Sequence, residues 1–243
     1  ICIDFNPDDP ETWIKTEIED RRSAEIGDVD VVVSTYRDNR FLSDEMVRSI
    51  ESLQSDPEFW RAFGLGEYGV ISGQVFTNWS VGKWPSSLKK RAYAMDFGFS
   101  NHPTALTECG ISGGNLHARE LIYETGMLNS DIIDRLKYLE IRKSDEIYCD
   151  NAEPKTIKEI EKAGFNALPC KKPSIKFGID LLRRYHTVID PQSVNMISEI
   201  KRYKYKKINE FYTNEPIDAF NHSMDCLRYY AVEKLNSTGL ILL

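Results

Sequence analysis

A mixed β-sheet flanked by helices, in an α/β fold, is what this sequence predicts from three observations. Downstream of residue 90, three apolar runs follow one another with short breaks between them, the pattern of adjacent strands. After them, short β-type runs alternate with segments whose apolar residues recur at helical spacing. A hydrophobic fraction of 41% over 243 residues is ample for a packed core. Strands first and alternation afterwards combine antiparallel and parallel pairing in one sheet.

In order, residues 1–5 and 31–36 read as strands, and 44–54 reads as a helix with Met46, Val47, Ile50 and Leu53 on one face. A second helix is expected over 57–64. Gly64, Gly66, Gly69 and Gly73 interrupt regular structure before a strand around 74–76. Gly82, Pro85, Ser86 and Ser87 gather ahead of a basic and then apolar run, which marks a linker at 80–90 between a first segment, 1–79, and a second, 91–243. The second segment opens on a strand ending at Asp96. Runs at 104–111 and 115–123 flank Ser112, Gly113 and Gly114 as a hairpin. Residues 131–141 put Ile132, Ile133, Leu136 and Leu139 on one helical face, with Asn129 or Ser130 as cap. A strand then runs to Asp150. Pro154 suits the first turn of the next helix, and Gly164 can end it in a left-handed conformation. A strand at 166–170, a helix at 175–185, a strand at 187–189 and helices at 192–203 and 217–235 complete the prediction.

No run approaches the roughly 20 apolar residues of a membrane helix, and the N-terminal residues have neither the basic region nor the apolar run of a signal peptide. The expectation is a cytoplasmic globular protein. Five cysteines lie scattered without C-x-x-C spacing, which disfavours a zinc site or a disulfide framework. The net charge of −7 is uneven. Residues 1–90 hold 17 acidic and 10 basic side chains, which accounts for the whole imbalance and leaves the rest of the chain neutral. Within that neutral part, Lys171, Lys172, Lys176, Arg183 and Arg184 form one basic cluster. Lys201, Arg202, Lys204, Lys206 and Lys207 form another. Interleaved with Tyr185, Tyr203 and Tyr205, these runs suit either a phosphate-tracking surface or a solvated helix face.

The candidate chemistry rests on three aspartates. Asp96 and Asp150 each end an apolar run and are followed by loop formers. At about 100° per residue, the terminal helix carries Asp218, Asn221, His222 and Asp225 in one stripe opposite Phe220, Met224, Leu227 and Ala231. Two strand ends and one helix thus aim carboxylates at a common point. A hard divalent cation such as Mg²⁺ takes oxygen ligands and keeps waters for substrate phosphates, so this pattern points to metal-dependent cutting of phosphodiesters. A metal pair about 3.5–4 Å apart would bridge through Asp96, with Asp150 holding one ion and Asp225 the other. The competing reading is a solvated helix face and two turn aspartates. His222 either orients or protonates at the site or packs against Asp218 or a backbone carbonyl. Glu153 is a reserve ligand, or a helix-start residue favoured by the dipole. Lys171, Lys172 and Lys176 are the candidate DNA contacts. Converging carboxylates repel one another, so removing any one of them is expected to leave stability unchanged or raise it.

Five stretches carry a family resemblance: Ala94 to Phe99, His102 to Leu106, Cys149 to Ile157, Lys172 to Ile179, and Asn221 to Tyr229. Over residues 91–235 their order and spacing resemble the C-terminal nuclease domain of tailed-phage terminase large subunits. The resemblance implies an RNase H-like fold and metal-dependent cutting of concatemeric double-stranded viral DNA during genome packaging, with Mg²⁺ or Mn²⁺, two ions, as the cofactor. It matches Asp96, Asp150 and Asp225 to the metal-binding triad, and His222 to a histidine beside the third aspartate. It also implies double-stranded DNA, a terminase small subunit and a portal protein as partners, no membrane, and the cytoplasm of the bacterial host as the location. Residues 1–79 resemble the end of the ATPase domain of the same proteins, in Asp4 to Pro7, Ser34 to Asn39 and Gly66 to Gly69. The chain holds no G-x-x-x-x-G-K-[ST] loop, so no ATP hydrolysis is expected from it alone.

Two other classes use similar residues. A transposase, integrase or junction resolvase of the same fold would join DNA ends or cut only branched junctions. A non-catalytic interaction module would bind metal without cleavage.

Overall fold

A computed structural model of the chain describes residues 5, 7, 13–27, 29–42, 44–52, 54, 60–68, 73–171, 174–208 and 211–236. The chain forms two compact units, Ile1–Gly73 and Gln74–Leu243. The division falls ahead of the 80–90 linker read from the sequence. Ser80 and Val81 are instead part of β1 (Trp79–Val81), which pairs in parallel with Val188 and Ile189 at the edge of the main sheet. Among the described residues, no helix is long and apolar enough to cross a membrane.

In the first unit, a π-type helix spans Ile14–Ile26 and ends at Gly27, whose φ of 74° places it in the left-handed region. Periodicity does not announce this helix, because its apolar residues follow no single face. Residues 31–36 form no strand. Val31, Val32 and Val33 are exposed, and Thr35 instead caps a short 3₁₀ turn, Tyr36–Asp38, by a reciprocal box with the Asp38 carboxylate. Helix α1 (Asp44–Ser52) agrees with the expected helix, whereas the described part of the one expected at 57–64 is a single π-type turn, Trp60–Gly64. The strand expected at 1–5 lies almost entirely outside the described residues.

The second unit is built on a seven-stranded mixed sheet. Its strands are β1, β2 (Lys89–Asp96), β3 (Thr104–Ser112), β4 (Asn115–Glu124), β5 (Glu146–Cys149), β6 (Asn166–Pro169) and β7 (Thr187–Ile189). Their spatial order is β1-β7-β4-β3-β2-β5-β6, antiparallel between β4, β3 and β2 and parallel elsewhere. The β3–β4 turn has Gly113 at φ 58° and Gly114 at φ 84°. Two successive positive φ values make the tight turn that matches strand twist, and glycine adopts them without a Cβ clash. Residues 74–76 supply only a bridge from Gln74 to Lys204, not a strand.

Helices cover both faces of this sheet: α2 (Asn129–Tyr138), α3 (Pro154–Lys162), α4 (Ile175–Leu182), α5 (Val194–Arg202) and α6 (His222–Tyr230). The side-chain alternation of β2 assigns the faces. Tyr93 and Met95 join Leu106, Ile132, Leu136, Ile147, Ile157 and Ile160 on the side of α2 and α3. Ala92 and Ala94 join Leu116, Ile179, Leu182, Ile200, Met224 and Leu227 on the other side. Small residues at 92, 94 and 105 leave room for α6 to lie against β2 and β3. Gly164, at φ 96°, ends α3 as the sequence predicts. The α2 cap differs: Leu128 stands at the N-cap, and its N–H donates to the Asp131 carboxylate at 2.8 Å. A hairpin absent from the sequence prediction, β8 (Tyr205–Ile208) and β9 (Phe211–Pro216), leads toward α6.

Candidate nuclease site

Neighbouring parallel strands deliver the first two carboxylates to one end of the sheet. Asp96 is the last residue of β2, Asp150 follows β5, and Met95 pairs with Cys149 in register. The Asp150 N–H closes that register by donating to the Met95 carbonyl at 3.0 Å. The third aspartate, Asp225, lies in the first turn of α6, which packs over β2, β3 and β5. Its N–H donates to the Asn221 carbonyl at 2.6 Å.

Asp96 is 8% exposed and fully engaged. Its Oδ2 accepts from His222 Nδ1 at 2.9 Å and its Oδ1 from the Tyr229 hydroxyl at 3.3 Å. Burial raises the pKa of the Tyr229 phenol, and the charges of Asp96, Asp225 and Asp150 raise it further. Asp225 Oδ1 accepts from Arg228 Nε at 3.1 Å and Nη2 at 2.5 Å. Burial pushes the Asp225 carboxyl up to about 6; Arg228 opposes the rise, and the like charge of Asp96 reinforces it. Asp150 is half-buried, and its Oδ1 accepts the Ala152 N–H at 3.1 Å.

For His222, burial lowers the imidazole pKa, but the hydrogen bond and charge of Asp96 outweigh it, helped by Glu199 and Asp225, and the net direction is up. On its other side, Nε2 lies 3.2 Å from His102 Nδ1, with the rings edge to face. The imidazole is thus hydrogen-bonded to Asp96, and the side-chain partner of Asp218 is Asn221 instead.

Asp218 lies outside the helix. Helix α6 begins at His222, not at 217, and Asp218 accepts a 3.3 Å hydrogen bond from Asn221 Nδ2 in the preceding turn. The helical stripe drawn through Asp218 and Asn221 is accordingly corrected to His222 and Asp225. Helical periodicity could not show this, because Phe220 takes a positive φ of 54° that breaks the helix before its cap. Glu153 stands at the N-cap of α3 without a side-chain cap bond. It lines a cleft of about 270 Å³ with Phe97, Phe99, Met127, Asn129 and Thr156.

Lys171 and Lys176 are exposed, and Lys172 lies outside the described residues. The run leaves β6 beside the Asp150 strand end, since the Cys170 N–H donates to the Cys149 carbonyl at 2.8 Å. The second basic run is not one exposed surface. Tyr203 and Lys204 are buried, Lys206 pairs with Glu215 at 3.4 Å, Lys207 lies over the Tyr212 ring and Arg202 over Phe220. Of the basic residues, Lys206 and Lys207 lie on β8, whereas Lys201 and Arg202 end α5 and Lys204 stands between the two elements.

Among the described residues, no group of three or more His, Cys, Asp or Glu side chains is arranged as a ready-made metal cage. Each aspartate is turned to a protein donor instead. The donor chemistry nonetheless fits a hard cation: the charge of Asp96 adds to the cost of ionising the Asp225 carboxyl, and a divalent ion would relieve it. Sequence reasoning missed Tyr229, Arg228 and His102 as members of this site, although all three fall in the stretches that carried the resemblance. Glu199 left no signal, because it sits among core residues of an amphipathic helix.

The family model described as Terminase RNAseH like domain matches residues 96–234, and the one described as Phage terminase large subunit matches residues 1–67. The chain is 23% identical over 250 residues to the PBSX phage terminase large subunit of Bacillus subtilis (strain 168), covering 92% of this chain and 56% of that protein. Among solved structures, the g2p large-terminase nuclease domain of bacteriophage SPP1 with bound Mn matches with a TM-score of 0.58 at 21% identity, over 65% of this chain and 97% of that one. The large terminase of a thermophilic bacteriophage, in complex with ATP-gamma-S, matches with a TM-score of 0.54 at 19% identity, over 95% of this chain and 62% of that one. The mixed sheet, its helices and these matches define an RNase H-like terminase nuclease fold. The chain belongs to the phage terminase large-subunit family, and it spans about half the length of the curated relative it matches.

Proposed function

We propose that this chain is a metal-dependent endonuclease that cuts concatemeric double-stranded viral DNA during genome packaging. The observation that carries the reading is the placement of Asp96 at the end of β2 and of Asp150 just beyond the in-register parallel strand β5, with Asp225 in the first turn of the helix that packs over both strands. In this reading, Asp96, Asp150 and Asp225 hold Mg²⁺ or Mn²⁺, two ions in number. Bound divalent ions supply activation of a water and stabilisation of the leaving oxygen. His222 holds Asp96 by its Nδ1–H and can pass a proton through Nε2 toward His102. Tyr229 fixes the second oxygen of Asp96, and Arg228 fixes one oxygen of Asp225. Lys171, Lys172 and Lys176 track the DNA backbone as it leaves the site.

Residues 1–79 are read as the end of an ATPase domain and residues 91–243 as the nuclease domain. Because the chain lacks a phosphate-binding loop, it does not turn over ATP alone. A terminase small subunit and a portal protein are the partners of the full assembly, in the cytoplasm of the bacterial host. The test is plasmid nicking across Mg²⁺, Mn²⁺, Ca²⁺ and chelator, with Asp96→Asn, Asp150→Asn and Asp225→Asn. Loss of cutting in each folded variant supports the reading. Cutting that survives chelation or any of these substitutions sinks it, and strand joining or strict junction cutting would move the protein to the integrase or resolvase class.

A further inference from the structure

The first turn of α6 is held by a carboxylate that no motif marks. Glu199, on α5, is 2% exposed. Its Oε1 accepts the His222 N–H at 3.1 Å and the Tyr123 hydroxyl at 2.8 Å, and its Oε2 accepts the Ser223 N–H at 2.6 Å. These two amides are among the first N–H groups of a helix, which have no partner within it. A buried carboxylate from another helix takes both, where the helix dipole also favours negative charge. The neighbouring residue Asn221 makes no side-chain cap bond, so Glu199 serves in its place.

The support is itself fixed. Glu120 of β4 accepts from the Met196 N–H and from Asn195 Nδ2, both at 2.7 Å, and donates its own N–H to Ser193 Oγ at 2.9 Å. The α5 helix is thus pinned to β4 at its start, and α5 in turn pins α6. We infer that Glu199 is a positioning residue of the nuclease site: it sets where α6 begins, and therefore where His222 and Asp225 stand relative to Asp96 on β2. The inference rests on the nuclease reading for its consequence in cutting, and on geometry alone for its consequence at His222.

Glu199→Gln separates positioning from mere packing. In the parent the two helix amides bond to different carboxylate oxygens, so with an amide side chain held in the same place one of them is left facing an NH₂. The expected result is a folded protein in which the backbone amide signals of His222 and Ser223 and the His222 ring signal move upfield in NMR. Mn²⁺ affinity, read by calorimetry, falls about 10-fold, as for other residues that orient a ligand from behind. On plasmid DNA, kcat falls with KM unchanged. Tyr123→Phe keeps both amide bonds and shows a smaller loss of the same kind. Glu199→Gln that keeps the parent's His222 and Ser223 signals, its Mn²⁺ affinity and its kcat overturns the inference, as does a variant that loses only thermal stability. Failure of the nuclease reading shows separately, as a parent that neither binds Mn²⁺ nor cuts and that Asp96→Asn does not change, while the NMR signals still decide what Glu199 holds.

Discussion

The Asp225–Arg228 pair predicts an asymmetry between its two partners that can be measured without metal. Both side chains are largely buried, at 15% and 10% exposure. Arginine cannot shed its proton in a protein, so Asp225→Ala strands a buried cation at every pH and should cost about 3–5 kcal/mol. Arg228→Met leaves a group that can neutralise itself. Asp225 already titrates near 6, so at pH 7 taking up a proton costs about 1.4 kcal/mol, and that figure caps the electrostatic loss. The cap rises by about 1.4 kcal/mol per pH unit above that and vanishes below 6. In the parent, the raised pKa means that the folded state holds this proton more tightly than the open chain, whose value is 3.8. The contribution to stability is therefore greatest below about pH 4, declines as pH rises through about 6, and is level above, a span on the order of 3 kcal/mol. Urea unfolding in chelator from about pH 3.5 to 8 reads all of this. Equal, pH-independent losses in the two variants would refute the argument. The sequence alone led to the opposite expectation for Asp225, that its removal leaves stability unchanged or raises it. Arg228 reverses it, because removing the anion exposes a worse problem than the repulsion it relieves.

Three further outcomes follow from the same geometry. Mn²⁺ should raise the thermal stability of the parent, by about 2.7 kcal/mol at a hundred times its dissociation constant, and should not do so for Asp96→Asn, which calorimetric melting tests. Gly98→Ala should unfold the protein at lower temperature and impair cutting even after cooling, because its Cβ would press into the carbonyl oxygens of His102 and Pro103 in the loop that follows Asp96. Replacing Lys171, Lys172 and Lys176 by Glu should weaken DNA binding at low salt and flatten the log–log salt dependence by about 0.9 for each phosphate no longer neutralised; binding like the parent's would assign these lysines to a solvated face.

Much of the architecture was legible because strand and helix periodicity are local. The alternation of β2, the paired glycines between β3 and β4, Pro154 at the start of α3 and Gly164 at its end each declare themselves in a few residues. The positions of Asp96 and Asp150 at strand ends belong to the same class of information. Residues 31–36 show its limit: a β-branched run reads as a strand, but a strand needs a partner, and Val32 is 85% exposed and pairs with no strand among the described residues.

What only the tertiary structure decided is who faces whom. The start of α6 depends on a positive φ at Phe220 and on a carboxylate 23 residues upstream, and neither has a signature in helical periodicity. The basic run at 201–207 looks continuous in the chain, yet Lys204, which bridges to Gln74 ahead of β8, is buried while Lys206 on β8 is exposed. Residue types and local periods belong to the sequence. The partners of Asp96 and Asp225, which include His222, Tyr229 and Arg228, come from the packing of α6 over β2, and the raised pKa of Asp225 follows from burial and from charges brought near through space.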